Sequence, residues 1–340
     1  MANARQMLQR RLDSRPGPKR GDALFEGTDY PRRWDDYVGQ QEAKNFLRAA
    51  AASAKYRNTR MDHVLIASGV AGIGKSALVR LIAKEMDVGL LEVQGTVDIA
   101  DGIRALMTMQ DGDILFWDEI HNAVASGKAK AEWLLSYLQD GVIVTPGGIT
   151  QVPNVTVIAA TTDAQRLPEA ILSRFTVKPV LESYSDDEAS QIVEVVSRNV
   201  FTKIGLAAPG EWNRKAIVEA ANGNPRTITQ LLKILRDSAL AAGMTDKTVD
   251  MYPMDDMYRW SGLTTDGLDR DAQQYMLTLY VAPSFRSGEK AIAQALGQPG
   301  GVRHTEKLLI QKGFVRIATN GRELTAEGVE RAVDLAEMAS

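Results

Sequence analysis

Between residues 32 and 180 short, unbroken apolar runs alternate with stretches of helical period. "HVLIA", "DILFWDE" and "VTVIAATT" carry no polar alternation, which marks strands covered on both faces, as in a parallel sheet. Helical sequence between them predicts a sheet wrapped by helices. From 181 to 258 only the helical period persists. Ser185, followed three residues later by Glu188, opens "SDDEASQIVEVV" as a capping box. "GNPRTITQLLKILRD" places Ile228, Leu231, Leu232 and Leu235 on one helical face. From 259 to 340 three short helical stretches precede "FVRIATNGRELT", where Asn320-Gly321 predicts a two-residue hairpin turn. Three helices and a hairpin predict a winged-helix unit.

Length and composition narrow the classes. The 340 residues fit two or three domains, and 44% hydrophobic with 24% charged residues fits a soluble globular protein. No apolar run approaches the roughly 18 residues of a membrane span, and the N-terminus lacks an apolar signal core. A cytoplasmic protein with no membrane partner is expected. The absence of cysteine excludes disulfides, cysteine nucleophiles and thiolate metal sites, and His63, His121 and His304 lie far apart in sequence. The net charge of −3 conceals a local excess: within residues 1–21 Arg5, Arg10, Arg11, Arg15, Lys19 and Arg20 face Asp13 alone, beside Pro16, Gly17 and Pro18. Residues 1–31 therefore read as a flexible basic arm, either solvated or touching phosphate.

The chemistry begins at "SGVAGIGKSALV", directly after the first strand. Gly69, Gly74, Lys75 and Ser76 match G-x-x-x-x-G-K-[ST], and the nucleotide cradle is expected to run through Gly69, Gly72, Ile73, Gly74, Lys75, Ser76 and Ala77. Glycines let backbone N–H groups turn inward around phosphates, the following helix presents its positive end, Lys75 reaches the terminal phosphates and Ser76 ligates Mg²⁺. ATP and Mg²⁺ are the expected cofactors. In "DILFWDEIH" the apolar residues Ile114 to Trp117 end in Asp118 and Glu119. Asp118 would hold Mg²⁺ through water, and Glu119 would orient and deprotonate the attacking water. Thr161 and Thr162 end the third strand, where they either touch the γ-phosphate or simply terminate it. Arg174 in "LPEAILSRF" is either a surface residue or an arginine finger for a neighbouring subunit. Arg226 in "GNPR" sits in a helix's first turn, an unfavourable end for a cation unless an anion is near.

"WDDYVGQ", "DHVLIASGVAGIGKSALV", "DGDILFWDEIH", "VIAATTDAQRLPEAILSRF", "GNPRTITQLLKILRD", "LDRDAQQYML" and "LLIQKGFVRIATNGR" follow, in order, the pattern of the RuvB family. The chain resembles these AAA+ motors of Holliday-junction branch migration from about residue 31 to 330. The resemblance implies an α/β AAA+ P-loop core over 32–180, a helical lid over 181–258 and a C-terminal winged helix over 259–340. It further implies that Tyr37 and Val38 border the adenine, that one of Thr161 and Thr162 is sensor 1, that Arg174 is the trans finger, and that Arg226, beside Pro225, is sensor 2. In that family six subunits ring duplex DNA. Two departures stand out. The loop "GVAGIGKS" lacks the family's usual two prolines and threonine, which preserves binding, and "QDGVIVTPGGITQVPNVTV" is shorter than the family's hairpin region, which argues against a standard contact with the partner RuvA.

Independently of the family, Arg303, Lys307, Lys312, Arg316 and Arg322 offer positive charge around the last helix and hairpin. Lysine and arginine on phosphates position a protein on DNA without reading sequence; the alternative is a solvated helix face. The expected function is an ATP-dependent motor translocating duplex or four-way-junction DNA as a hexameric ring. The alternative is an AAA+ switch or loader that assembles a partner on DNA.

Overall fold

The computed structural model describes residues 18–26, 28–94, 99–125, 128–145, 148–244, 252–298 and 302–339. It resolves into two compact units. One runs through Ile204 and adds Gly223–Gln230; the other takes Gly205–Asn222 and everything from Leu231. The helix Pro225–Ala241 thus gives its residues through Gln230 to one unit and its remainder to the other.

The first unit is built on the strands β1 (Val64–Ser68), β2 (Leu90–Gln94), β3 (Ile114–Asp118), β4 (Val142–Thr145), β5 (Gly148–Gln151), β6 (Thr156–Thr161) and β7 (Val180–Leu181). Five of them form one parallel sheet in the order β2-β3-β6-β1-β7. Successive side chains of a strand point to opposite faces, so the apolar runs supply two cores at once. Ile66, Ile114, Phe116, Ile158 and Ala160 pack on one face with Leu78 and Ile82 of the helix Lys75–Met86. Leu65, Leu115, Trp117, Val157 and Ala159 pack on the other with Trp133, Leu134 and Tyr137 of the helix Lys128–Asp140. In this register Ala67 pairs with Thr161 and Trp117 with Ala159. The C-terminal ends of β1, β3 and β6 therefore finish side by side.

The other two strands, β4 and β5, form a separate antiparallel hairpin in which Val144 and Ile149 face each other, 54% and 69% exposed. The shorter segment still makes its hairpin.

The expected flexible arm is corrected over its described part. Lys19 and Leu90 exchange N–H···O bonds of 2.9 Å at the edge of β2. The Arg20 guanidinium lies 2.6 Å from Asp113, a fully buried carboxylate that also accepts from the backbone N–H groups of Gly89 and Gln110. Leu24 and Phe25 are buried in the core. Two apolar side chains and a paired buried carboxylate hold this strap, so the Arg20 charge is structural here. Arg5, Arg10, Arg11 and Arg15 lie outside the described residues.

In the second unit β8 (Arg286–Ser287), β9 (Val315–Ala318) and β10 (Gly321–Leu324) form an antiparallel sheet in the order β8-β10-β9. Helices Arg270–Tyr280, Glu289–Ala295, Arg303–Gln311 and Ala326–Ala339 surround a core including Tyr275, Leu279, Ile292, Leu309 and Leu335. The expected turn shifts by one residue. Ala318 pairs with Gly321, so the two loop residues are Thr319 and Asn320. Gly321 opens β10 at φ +139°, where a Cβ would lie 2.6 Å from the Ser287 carbonyl oxygen. Close approach of β8, and not the turn, is what requires glycine there.

Two outcomes follow from this packing. Phe25→Ala should cost about 3–5 kcal/mol in urea unfolding, the usual cost of emptying a filled aromatic site; a loss under about 0.5 kcal/mol would mean the strap is not docked. His63 is buried, with Nδ1 accepting the Val157 N–H at 2.9 Å. Burial, helped by nearby Arg60, pushes its pKa down to about 3. The unfolded imidazole binds a proton near pH 6.5 and the folded one does not. Stability should therefore be complete above about pH 6.5 and fall by about 1.4 kcal/mol per unit as pH drops below it. Unfolding midpoints near pH 7 and 5.5 check this, and His63→Gln should flatten the slope.

Candidate nucleotide site

The loop 69–74 leaves β1 and enters the helix Lys75–Met86 with Gly72 at φ +78° and Gly74 at φ +106°. Both glycines are close-approach positions. A Cβ on Gly72 would lie 2.7 Å from Asn224 Oδ1, and one on Gly74 3.0 Å from the Tyr37 hydroxyl oxygen. Lys75 is 6% exposed and donates from Nζ to Ser68 Oγ at 3.0 Å. Its nearest carboxylate oxygen, Glu119 Oε1, stands 3.7 Å away. Burial lowers the Lys75 pKa, while Glu119 and Asp118 oppose that shift. Among the described residues a hydroxyl and one distant carboxylate are its partners, which leaves this buried ammonium undersatisfied, and a phosphate between glycine-turned N–H groups would complete it. Ser76 and Ala77 follow in the first turn, where the helix dipole is positive.

Asp118 ends β3, and burial, with a smaller push from the Glu119 charge, raises its pKa against the pull of Lys75. Its Oδ1 accepts the Glu119 N–H at 3.1 Å. Glu119 adopts left-handed backbone at φ +51°. Its Oε2 accepts from the Thr162 N–H at 3.1 Å and from Thr162 Oγ1 at 2.9 Å, and lies 3.2 Å from His121 Nδ1. The two threonines part company here. Thr162 meets Glu119, whereas Thr161 is fully buried, accepts the Asp163 N–H at 3.0 Å and lies 2.9 Å from His121 Nδ1.

Tyr37 is buried against the loop, its hydroxyl 3.4 Å from the Gly74 carbonyl oxygen, and burial raises its pKa well above the ordinary value. Val38 beside it is half-buried. Tyr184 donates to the Ile73 carbonyl oxygen at 3.1 Å. Gln40 closes the same corner by exchanging bonds with the Glu182 backbone. Asn224 caps the helix that Pro225 begins, Oδ1 accepting from the Arg226 N–H at 3.0 Å, and its Nδ2 donates to the Ala71 carbonyl oxygen at 2.8 Å. Arg226 is exposed, and its charge reaches both Lys75 and Asp118.

The fold thus assembles Tyr37, the phosphate loop, Lys75, Asp118, Glu119, Thr162 and Arg226. Arg174 stands apart: it donates to Gln139 Oε1 at 2.6 Å, and among the described residues no contact joins it to this cluster. In the second unit the expected positive face is corrected at two places. Arg322 spans Glu306 at 2.6 Å and Glu289 at 2.8 Å, and Arg316 pairs with Glu323, which also holds Arg286. Cross-strand and strand-to-helix carboxylates answer these guanidiniums, a pairing the sequence order does not display. Lys307 is exposed and Lys312 half-buried. Arg303 begins its helix, and its side chain lies outside the described residues. Sequence reasoning missed Tyr184, Asn224 and His121. Each had a signal: an aromatic directly before the capping box, an N-cap residue directly before Pro225, and a histidine two residues beyond Glu119.

A parallel sheet, a phosphate loop with a buried lysine, and an Asp–Glu pair on the adjacent strand define a P-loop nucleotide hydrolase of the AAA+ class. A family model described as the Holliday junction DNA helicase RuvB P-loop domain matches residues 30–181. The Holliday junction branch migration complex subunit RuvB of Kosmotoga olearia is 30% identical over 322 residues, 90% of this chain and 90% of that protein. Its counterpart in Sulfurimonas denitrificans is 30% identical over 88% of this chain and 89% of that protein. The structure of the Thermotoga maritima RuvB Holliday junction branch migration motor is similar at TM-score 0.72 and 25% identity, covering 89% of this chain and 97% of that one. The chain belongs to the RuvB family.

Asn224→Ser tests the grip of the helix start on the loop, because serine keeps a capping oxygen and loses the amide that holds Ala71. The Kd for ATP should rise about fivefold, the worth of one hydrogen bond near 1 kcal/mol, with the unfolding midpoint little changed. An unchanged Kd with lowered stability would reduce Asn224 to a helix cap.

Proposed function

We propose that this chain hydrolyses ATP to translocate duplex DNA and drive branch migration at Holliday junctions. The observation that carries the reading is Glu119 held by Thr162 beside the buried Lys75, at the mouth of a phosphate loop, in a chain that matches RuvB proteins over nine-tenths of its length. Lys75 would exchange its contacts with Ser68 and Glu119 for the terminal phosphates. Glu119, relieved of the ammonium, presents Oε1 to take a proton from the attacking water. Ser76 and Asp118 are the residues to hold Mg²⁺, which supplies charge stabilisation on the transferring phosphoryl group. Thr162 is the better placed of the two threonines to register the γ-phosphate, and Arg226 would meet the nucleotide from the start of its helix. Tyr37 and Val38 border the base.

Assembly completes the site. Arg174, unattached to its own chain's cluster, serves as the trans finger of a neighbouring subunit in a hexameric ring, so ATP holds neighbours together and hydrolysis releases that contact. The helical lid over 181–258 and the winged helix over 259–340 turn this into movement. Arg303, Lys307 and Lys312 are the phosphate contacts, with Arg316 and Arg322 engaged mainly within the wing. The reading against a RuvA contact is revised. The relatives are named as subunits of a branch migration complex, the shortened segment still forms a hairpin, and Val144 and Ile149 leave an apolar pair exposed on it. A RuvA-type partner is expected. Nothing favours the loader alternative. No helix among the described residues is long and apolar enough to cross a membrane, and a DNA motor of this kind works in the cytoplasm.

Steady-state ATPase should be measured without DNA and with single strand, linear duplex and a four-way junction, at low and moderate salt, beside Glu119→Gln. Stimulation by duplex or junction that weakens with salt and vanishes in Glu119→Gln is the expected result. A flat response to every DNA would overturn the DNA-motor reading.

A further inference from the structure

His121 is a buried imidazole that the hydrolytic scheme above does not use. It lies in the helix Ile120–Ala125, 7% exposed, with Nδ1 2.9 Å from Thr161 Oγ1 and 3.2 Å from Glu119 Oε2. A carboxylate oxygen only accepts hydrogen bonds. The proximity is favourable when Nδ1 carries the proton, which is then shared between Thr161 and Glu119. Thr161 Oγ1 already accepts from the Asp163 N–H and retains a second lone pair for it.

Around Glu119 this leaves an asymmetric arrangement. Oε2 accepts from the Thr162 N–H and Oγ1–H and lies 3.2 Å from His121 Nδ1. Among the described residues Oε1 faces only Lys75, at 3.7 Å. When the ammonium turns to a phosphate, Oε1 is freed while Oε2 stays anchored to the tip of β6. A glutamate whose backbone sits at φ +51° is thereby prevented from swinging out of line.

We propose that His121 is a positioning residue for ATP hydrolysis: its Nδ1–H, braced by Thr161, pins Glu119 Oε2 against the end of β6 so that Oε1 alone addresses the water. Thr161 in turn acts through His121, and only Thr162 of the pair faces the nucleotide. The inference rests on Glu119 being the base.

The test uses the full chain with Mg-ATP and saturating duplex DNA. His121→Ala should lower kcat about tenfold to a hundredfold, the cost of misplacing a catalytic group by about an ångström, with KM and the Kd for Mg-ATP unchanged. His121→Asn, whose amide nitrogen can occupy the place of Nδ1, should recover most of that loss. Thr161→Val, nearly isosteric, should lower kcat more mildly at the same KM, which keeps the idea testable if an His121 variant fails to fold. Wild-type kcat in a folded His121→Ala chain, or His121→Asn no better than His121→Ala, would overturn the role of His121. Glu119→Gln separates the two readings: wild-type turnover there would remove Glu119 itself as the base, whereas a dead Glu119→Gln beside a fully active His121→Ala would sink the His121 inference alone.

Discussion

A lysine ammonium held almost out of water is the constraint on which the site depends. Lys75 is 6% exposed, and the cost of burying a lone charge requires that its surroundings be polar, opposed in sign and rigid. The fold meets part of that demand at three strand ends: Ser68 of β1, Asp118 at the end of β3 with Glu119 just past it, and Thr162 just past β6, which holds Glu119. Their convergence depends on the parallel register of the sheet. A slip by one residue would send each side chain to the opposite face, turning the carboxylates and hydroxyls away from the lysine.

Around that charge the loop is gripped from two sides. Tyr37 and Tyr184 hold the Gly74 and Ile73 carbonyls, and Asn224 holds that of Ala71. Each residue also belongs to a segment outside the loop. Tyr184 directly precedes the capping box of the helix Asp186–Val200, and Asn224 caps the helix Pro225–Ala241. A change in the loop on binding phosphate is thus felt at the starts of two helices through single hydrogen bonds.

The C-terminal unit shows the opposite use of charge. Arg286 and Arg316 share Glu323, and Arg322 spans Glu306 and Glu289. Glu306 also accepts from the buried Tyr275 hydroxyl at 3.0 Å. These pairs tie the hairpin to its neighbouring strand and helices. A count of basic residues in this segment therefore overstates the positive charge it presents, because carboxylates close in space neutralise what the linear sequence displays as a cluster.

What the sequence determined by itself was local or repetitive. The unbroken apolar runs of β1, β3 and β6, the eight-residue phosphate loop, the Asp–Glu step and the Ser185–Glu188 capping box all follow from chemistry acting within a few residues, and they sufficed to indicate a parallel α/β core and where its nucleotide belongs. Tertiary structure decided which of two adjacent threonines meets Glu119, that His121 lies between Thr161 and Glu119, that Tyr184 and Asn224 grip the loop, that Leu24 and Phe25 dock a strap read as a flexible arm, and that Gly321 serves β8 and not the turn. Each of these depends on partners 20 or more residues apart whose contact is set by strand order and register. Hydrogen bonds are short-ranged, and local sequence carries no signal of which distant atom will arrive within 3 Å.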